Sequence, residues 1–493
     1  MLWDLLLTVQ WLCLAFFVGI NVSYIVLCLI SFLALPKIVE RHFLLRELPQ
    51  PHTSYEIPIS LMVTAYNEEA VIVESVRSLL QIDYPEYEIV VVNDGSKDKT
   101  LEVMIDAFDM VELPVTVRSR LPHKPITAVY RSKLFPQLRM IDKENGGCKA
   151  DASNAGIDAS IFPLVSPLDA DTVLERDTHK LLVQPFLEDS STVAVGGAVR
   201  IANGCLVKEG VLVEKGLATF KPLVLFQVLE YLRAFLFVRV GWAALDALPI
   251  ISGAIGLFDR EAVVEVGGYS RETHAEDLEI ILRMHLYYIE SGKKYNIANV
   301  PDANCWTEAP ETYKILRKQR VRWHQGFVEC LWFNRKLVFN RKGGLLSWVS
   351  IPFQFVFEAF SPLIEISGYV STIILFAFGH LSLYGAGIFF VLSVSLGILL
   401  TFTSILLEEI IFHTYPKTTH LLTLFAASVL ENFGYRQINA IWRFTGLLYW
   451  AIGYEESRVM IRSASWQGQG GGETSSQEGS KDSIISEGHG SKA

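Results

Sequence analysis

The stretch IPISLMVTAYNEEA, residues 57–70, decides the fold. Its first half is almost continuously apolar, its second half is a polar turn, and a helix is expected from about Glu68. YEIVVVNDGSKDKT, residues 87–100, repeats the pattern, with the strand ending at Asn93 and Asp94 before glycine and serine. Runs this apolar are covered on both faces, which is the signature of parallel strands joined by crossover helices. In such sheets ligands bind beyond the carboxyl ends of the strands. TAYNEE and NDGS both stand at such ends and are expected to line one crevice.

Outward from this core the chain divides. It has 493 residues, is 51% hydrophobic and carries a net charge of -10, with a mean hydropathy of +0.31. The middle third has ordinary globular charge, so a mixed soluble and membrane protein is expected. The acidic balance argues against nucleic acid as a partner, since backbone binding needs a basic face. The six cysteines form no CxxC pair, which suits a reducing compartment.

Residues 5–35 are apolar for too long to be a signal-peptide core, and a bilayer needs about 20 apolar helical residues. We expect an N-terminal transmembrane helix over 1–36. Lys37, Arg41 and Arg46 then place the next unit, 50–340, in the cytoplasm. Apolar runs at 351–378, 384–411 and 421–453 predict a membrane bundle over 345–460. Glu358, Glu365, Glu431, Asn432, Arg436 and Gln437 interrupt them and are expected to face a bundle interior or a watery path. The last run reads as one span plus an interfacial helix or as a hairpin. Arg458 and Arg462 favour a cytoplasmic C-terminus, whereas four spans put it outside. Residues 224–242 read as an amphipathic helix at the membrane surface or as a buried domain helix. The glycine- and serine-rich tail, 465–493, is expected to be disordered.

Several residues can carry chemistry. LVSPLDADTVLE, 164–175, places Asp169 and Asp171 two apart on an extended segment, hence on one side. Magnesium takes one or two carboxylates, with substrate phosphates completing its shell, although a lone DxD is also an ordinary solvated turn. GGCKADASNAG, 146–156, brings Lys149 and Asn154 to a glycine-rich helix start, which attracts phosphate. In ETHAEDLEIILRMHLY, 272–287, Glu276 and Asp277 complement a helix N-terminus, and Asp277 is also a candidate general base. IISGAIGLF, 250–258, is a small-residue turn where substrate can approach the backbone. In QRVRW, 319–323, Gln319, Arg322 and Trp323 share a helical face. They deliver an amide, a cation that can grip a diphosphate and an aromatic plane. Arg317, Lys318 and Arg320 read instead as a positive-inside signal.

In this order TAYNEE, NDGS, GGCKADASNAG, DAD, SGA, ED and QRVRW resemble the membrane-bound family 2 glycosyltransferases, which include cellulose, chitin, hyaluronan and poly-N-acetylglucosamine synthases. The resemblance covers about 55–330 and the flanking membrane segments. It is greatest to the bacterial poly-β-1,6-N-acetylglucosamine synthases. It implies an α/β, GT-A type nucleotide-sugar-binding domain with a mostly parallel sheet, joined to an α-helical transmembrane region. By that resemblance Ala65, Tyr66, Glu68 and Asp94 would hold the uridine of a UDP-sugar, and Lys149 and Asn154 would border the nucleotide. Asp169 would contact the nucleotide and Asp171 a Mg²⁺ or Mn²⁺ ion. Asp277 would be the base, while Ser252, Gly253, Ala254 and Glu276 flank the acceptor. Gln319, Arg322 and Trp323 would close over the diphosphate and acceptor sugar. Ala275 departs from the threonine or serine that many members carry before the acidic pair.

The expected function is an inverting, processive polysaccharide synthase in the cell membrane, with UDP-N-acetylglucosamine or UDP-glucose as donor. A polysaccharide acceptor, the lipid bilayer and accessory export subunits are its expected partners. A non-processive transferase acting on a lipid acceptor and a nucleotide-binding transporter or scaffold are the alternatives. QRVRW weighs against the first of these.

Overall fold

A computed structural model describes residues 2–47, 56–208, 210–380, 382–415 and 417–454. The expected tail, with Arg458 and Arg462, lies outside the described residues. Twelve strands form, in chain order, β1 (Ile59–Ala65), β2 (Tyr87–Asn93), β3 (Met110–Leu113), β4 (Ile126–Ser132), β5 (Leu138–Lys143) and β6 (Leu164–Asp169). They continue as β7 (Val173–Leu174), β8 (Thr192–Ile201), β9 (Leu206–Lys208), β10 (Val211–Glu214), β11 (Gly256–Asp259) and β12 (Asn296–Thr307). Ten make one sheet in the order β3-β4-β5-β2-β1-β6-β11-β8-β12-β7, and β9 and β10 make a separate hairpin.

The expected parallel strands are the centre of that sheet. β5, β2, β1 and β6 run parallel, β8 and β12 form a second parallel pair, and the remaining pairings are antiparallel. Burial on both faces explains the unbroken apolar runs. Leu61, Val63, Ile89 and Val91 pack towards Ile72, Val76, Met104 and Phe108 of helices Ile72–Leu79 and Thr100–Phe108. On the other face Val90 and Val92 meet Ala152, Ala155 and Ala159 of helix Lys149–Ala159. That helix lies close because Gly156 has no side chain; a Cβ there would sit 3.1 Å from Val92. Register then aligns the carboxyl ends, pairing Ala65 with Asn93 and Thr64 with Asp169.

Among the described residues three helical segments, Asp4–Glu40, Leu346–Ala377 and Val394–Ile411, are long and apolar enough to cross a membrane. The run at 421–453 divides into helices Thr418–Leu430 and Tyr435–Ile452, broken where Gly434 takes φ 102°. Glu431, at the break, is fully buried against Arg233 (2.7 Å), Arg436 (2.9 Å) and the hydroxyl of Thr401 (3.1 Å).

The stretch 224–242 belongs to a buried helix. It runs from Pro222 to Ala243 with a π-helical middle, Arg233–Val238. It packs between β8 and helices Leu2–Glu47 and Leu383–Ile411. The π-helical turn leaves the Phe237 carbonyl to accept the Ser31 hydroxyl at 2.6 Å. The charges that made the stretch look interfacial are directed inward. Glu230 pairs with Arg320, Arg233 pairs with Glu431, and Arg239 lies over the Phe235 ring at 3.9 Å.

Candidate active site

Three loops at the carboxyl ends of the sheet are tied to one another. Asn67 adopts φ 56°, a conformation asparagine tolerates better than most residues. Its side-chain oxygen accepts the Lys97 amide at 2.8 Å, and its own amide donates to the Ser96 hydroxyl at 3.0 Å. Gly95 is at φ 61°, and a Cβ there would strike the Asn145 backbone nitrogen at 2.7 Å. Only glycine lets NDGS and the ENGGCK segment approach so closely.

Asp94 is held from beneath. Its Oδ1 accepts the Gly146 amide at 3.0 Å and is ion-paired with Lys143. Lys143 is wholly buried and also reaches Asp151 Oδ1 at 2.7 Å. Lys149 joins two parts of the site. Its Nζ lies 2.6 Å from Asp169 Oδ1 and donates to the Gly253 carbonyl at 3.2 Å. Burial alone would push this ammonium down, but Asp169, Glu276 and Asp277 offset it and hold the lysine above its ordinary value. Burial pushes the Glu276 carboxyl up and Asp277 adds to the rise, against the opposing pull of Lys149.

Asp277 sits in the first turn of helix Glu276–Ser291. Its Oδ2 accepts the Gly253 amide and its Oδ1 the Leu278 amide, both at 2.9 Å. The small-residue turn therefore orients the carboxylate through backbone. Helix Tyr313–Phe333 closes this side. Gly326 rests against the segment before Asp277, where a Cβ would lie 2.9 Å from the Ala275 Cβ. That contact gives a physical reason for a small residue at 275. On the helix's other side Gly446 meets the Val321 carbonyl, where a Cβ would lie at 2.5 Å.

Fifteen of the sixteen site residues that the resemblance implies line a single cavity of 2320 Å³: Ala65, Tyr66, Glu68, Asp94, Lys149, Asp169, Asp171, Ser252, Gly253, Ala254, Glu276, Asp277, Gln319, Arg322 and Trp323. Asn154 is the exception and is not brought to the cavity. Its amide is engaged with the Pro122 carbonyl (3.0 Å) and with both the carbonyl (3.0 Å) and amide (2.7 Å) of Tyr269. Arg320 departs from the positive-inside reading: it is mostly buried, paired with Glu230, and stacked 4.9 Å from the Trp323 ring centroid. Residues to which the sequence gives no site role are Lys143, Arg239 and the pair His274–Glu329. Arg239 and His274 both line the cavity.

The same cavity continues among the candidate membrane-crossing helices and helix Tyr435–Ile452, where Gln10, Glu358, Glu365, Tyr369, Arg436 and Arg443 line it. Of the polar residues that interrupt the apolar runs, Glu358, Glu365, Asn432, Arg436 and Gln437 face this interior path, whereas Glu431 is buried behind it against Arg233 and Arg436. For a divalent cation, Asp169 and Asp171 offer hard oxygen donors at the end of β6. Among the described residues no cluster of three or more His, Cys, Asp or Glu side chains forms a closed cage. This donor set fits a Mg²⁺ or Mn²⁺ ion whose shell is completed by substrate phosphates.

Over residues 57–326, more than half of its length, the chain matches the model of the family described as glycosyltransferase-like family 2. The chain belongs to that family. Among characterised relatives, the poly-beta-1,6-N-acetyl-D-glucosamine synthase of Staphylococcus epidermidis is 29% identical over 273 residues, 55% of this chain and 55% of that protein. The synthase of the same name from Staphylococcus aureus strain COL is 28% identical over the same span. The matched region is thus about half the length of these relatives. Among solved structures, the mannosyltransferase PcManGT from Pyrobaculum calidifontis, in complex with GDP-Man and Mn²⁺, aligns with a TM-score of 0.47 at 20% identity. That alignment covers 83% of this chain and 99% of that one.

Proposed function

We propose that the chain is an inverting glycosyltransferase that extends a β-linked polysaccharide from a UDP-sugar and passes the product into its own membrane helices. The observation that carries this reading is the single cavity joining Asp94 and Asp169 to Asp277, Trp323 and then Glu365 and Tyr369. A transporter or scaffold that only binds nucleotide has no need of an oriented carboxylate there. UDP-N-acetylglucosamine is the favoured donor, because the synthases to which the chain is similar are named for that sugar; UDP-glucose is the second.

In this reading the turns at Ala65–Glu68 and at Asp94 receive the uridine, while Lys149 and Arg322 face the diphosphate. Asp171 would hold Mg²⁺ or Mn²⁺, with Asp169 beside it at the nucleotide, and the ion when bound offsets the charge that grows on departing UDP. Asp277, aimed by the Gly253 and Leu278 amides, takes the proton of an acceptor hydroxyl. The freed oxygen attacks the anomeric carbon opposite UDP, and one displacement converts an α-linked donor into a β-linked product. Gln319 and Trp323 hold the acceptor at the mouth of the membrane path. Its test is a panel of UDP-sugars with Mg²⁺ or Mn²⁺ and linkage analysis of the product. A β-linked polymer from one donor supports the reading. An α-linked product overturns inversion, and no UDP release from any donor overturns the enzyme.

A further inference from the structure

We propose that His274, fixed by Glu329, is a further acceptor-binding group near the base, accepting a hydrogen bond from a hydroxyl of the terminal acceptor sugar. This assignment rests on the polysaccharide reading above.

Its basis is an orphaned nitrogen. The His274 side chain is 2% exposed, yet it lines the cavity three residues before Asp277. Its Nδ1 lies 2.9 Å from Glu329 Oε2 and 3.2 Å from Oε1, and its backbone amide donates to Oε2 at 3.2 Å. The Nδ1 hydrogen bond to Glu329 selects the tautomer in which Nδ1 carries the hydrogen and Nε2 the lone pair. Nε2 is buried with no hydrogen-bond partner among the described residues. A buried acceptor left unpaired is unfavourable, so the group is matched to a donor that arrives with a ligand.

The ring is held in place to meet that donor. Gly326 packs so close that a Cβ would lie 2.9 Å from the His274 carbonyl carbon. Glu329 is held by the Gln325 amide at 3.2 Å, and the same amide donates to the Tyr454 carbonyl at 2.8 Å. The adjoining cavity wall carries Phe327 and Trp323, the kind of apolar surface a sugar ring covers, and Asp277 on the same short segment. A sugar placed with one hydroxyl at Asp277 lies against the same cavity wall to which His274 belongs.

The test uses the full chain in lipid nanodiscs. UDP-N-acetylglucosamine or UDP-glucose is the donor, with the corresponding β-linked oligosaccharide as primer. His274→Asn keeps an amide for Glu329 and removes the Nε2 position; His274→Gln places an amide oxygen near it. Glu329→Leu keeps roughly the size and removes the acceptor that fixes the Nδ1–H tautomer. The expected result is an acceptor KM raised roughly tenfold in His274→Asn and Glu329→Leu, the effect of one lost hydrogen bond. Donor KM should stay within about twofold, and His274→Gln should recover part of the acceptor affinity. An unchanged acceptor KM in His274→Asn, beside a wild type that extends the primer, overturns this assignment alone. Equal losses for donor and acceptor with a lowered melting temperature show a structural role and overturn it too. A wild type that extends no primer overturns the polysaccharide reading with it.

Discussion

Replacing Asp277 by asparagine separates the chemistry from the scaffold, because both carboxylate oxygens are in use. Oδ2 accepts from Gly253 and Oδ1 from Leu278, each at 2.9 Å. Asparagine has one oxygen, so its NH₂ must face one of those two N–H groups. The local cost is one lost hydrogen bond with an opposed donor, about 1–3 kcal/mol. Loss of a general base should in addition lower turnover by roughly 10²–10⁴-fold. The uridine side is expected to be spared. Its turns are held by Asn67, Ser96, Gly95 and Asn145, and it is linked to Asp277 through Lys149, which meets Asp169 and Gly253. UDP affinity, measured by titration calorimetry, should therefore change by no more than about threefold while UDP release from donor and primer nearly ceases. A rate loss below about tenfold at saturating primer would refute the base assignment. A UDP affinity that collapses together with turnover would refute the separation of the two halves.

Trp323→Ala should raise acceptor KM more than donor KM, since Arg320, itself paired with Glu230, fixes the plane of that ring; equal losses in a two-substrate kinetic analysis would argue against stacking. Lys143→Met leaves the buried Asp94 and Asp151 without their shared cation and should lower stability by about 3–5 kcal/mol, read as a drop in melting temperature. Acid should also destabilise the chain. Burial pushes His179 down to about 3, His285 to about 4 and His324 to about 3. Below the ordinary histidine value the unfolded chain binds protons that the folded chain refuses. The stability these rings contribute is therefore complete above about pH 6.5 and falls as pH drops towards 4, by up to about 1.4 kcal/mol per unit for each. Thermal melts at pH 7.5 and 5 check this, and His285→Gln should reduce the difference.

Much of the site was legible because it lies where strands end. The runs before Tyr66 and Asp94 identify buried parallel strands, and register alone brings them beside Asp169. QRVRW was legible because three residues on one helical face need no tertiary information. What could not be read depends on partners distant in sequence. Lys143 looks like a solvated charge until Asp94, 49 residues away, is placed against it. Arg320 looks like a topology signal until Glu230, 90 residues away, is placed against it. The pairing of His274 with Glu329 spans 55 residues and has no local periodicity. Asn154 misled for the opposite reason. A polar residue at a glycine-rich helix start suggests a ligand, but its amide is engaged by the loops at Pro122 and Tyr269. Helix Pro222–Leu232 and its continuation carried charges that suited a membrane surface, whereas their partners, Glu431 among them, lie inside the fold.

The central claim is that one cavity serves both transfer and passage, and sidedness of the product tests it most directly. The full chain would be reconstituted in sealed vesicles, the donor that supports synthesis supplied outside in radiolabelled form, and an endoglycosidase added after synthesis. The account predicts a long β-linked product that resists the enzyme until detergent opens the vesicles. Product of single additions, or polymer fully digested without detergent, would contradict it.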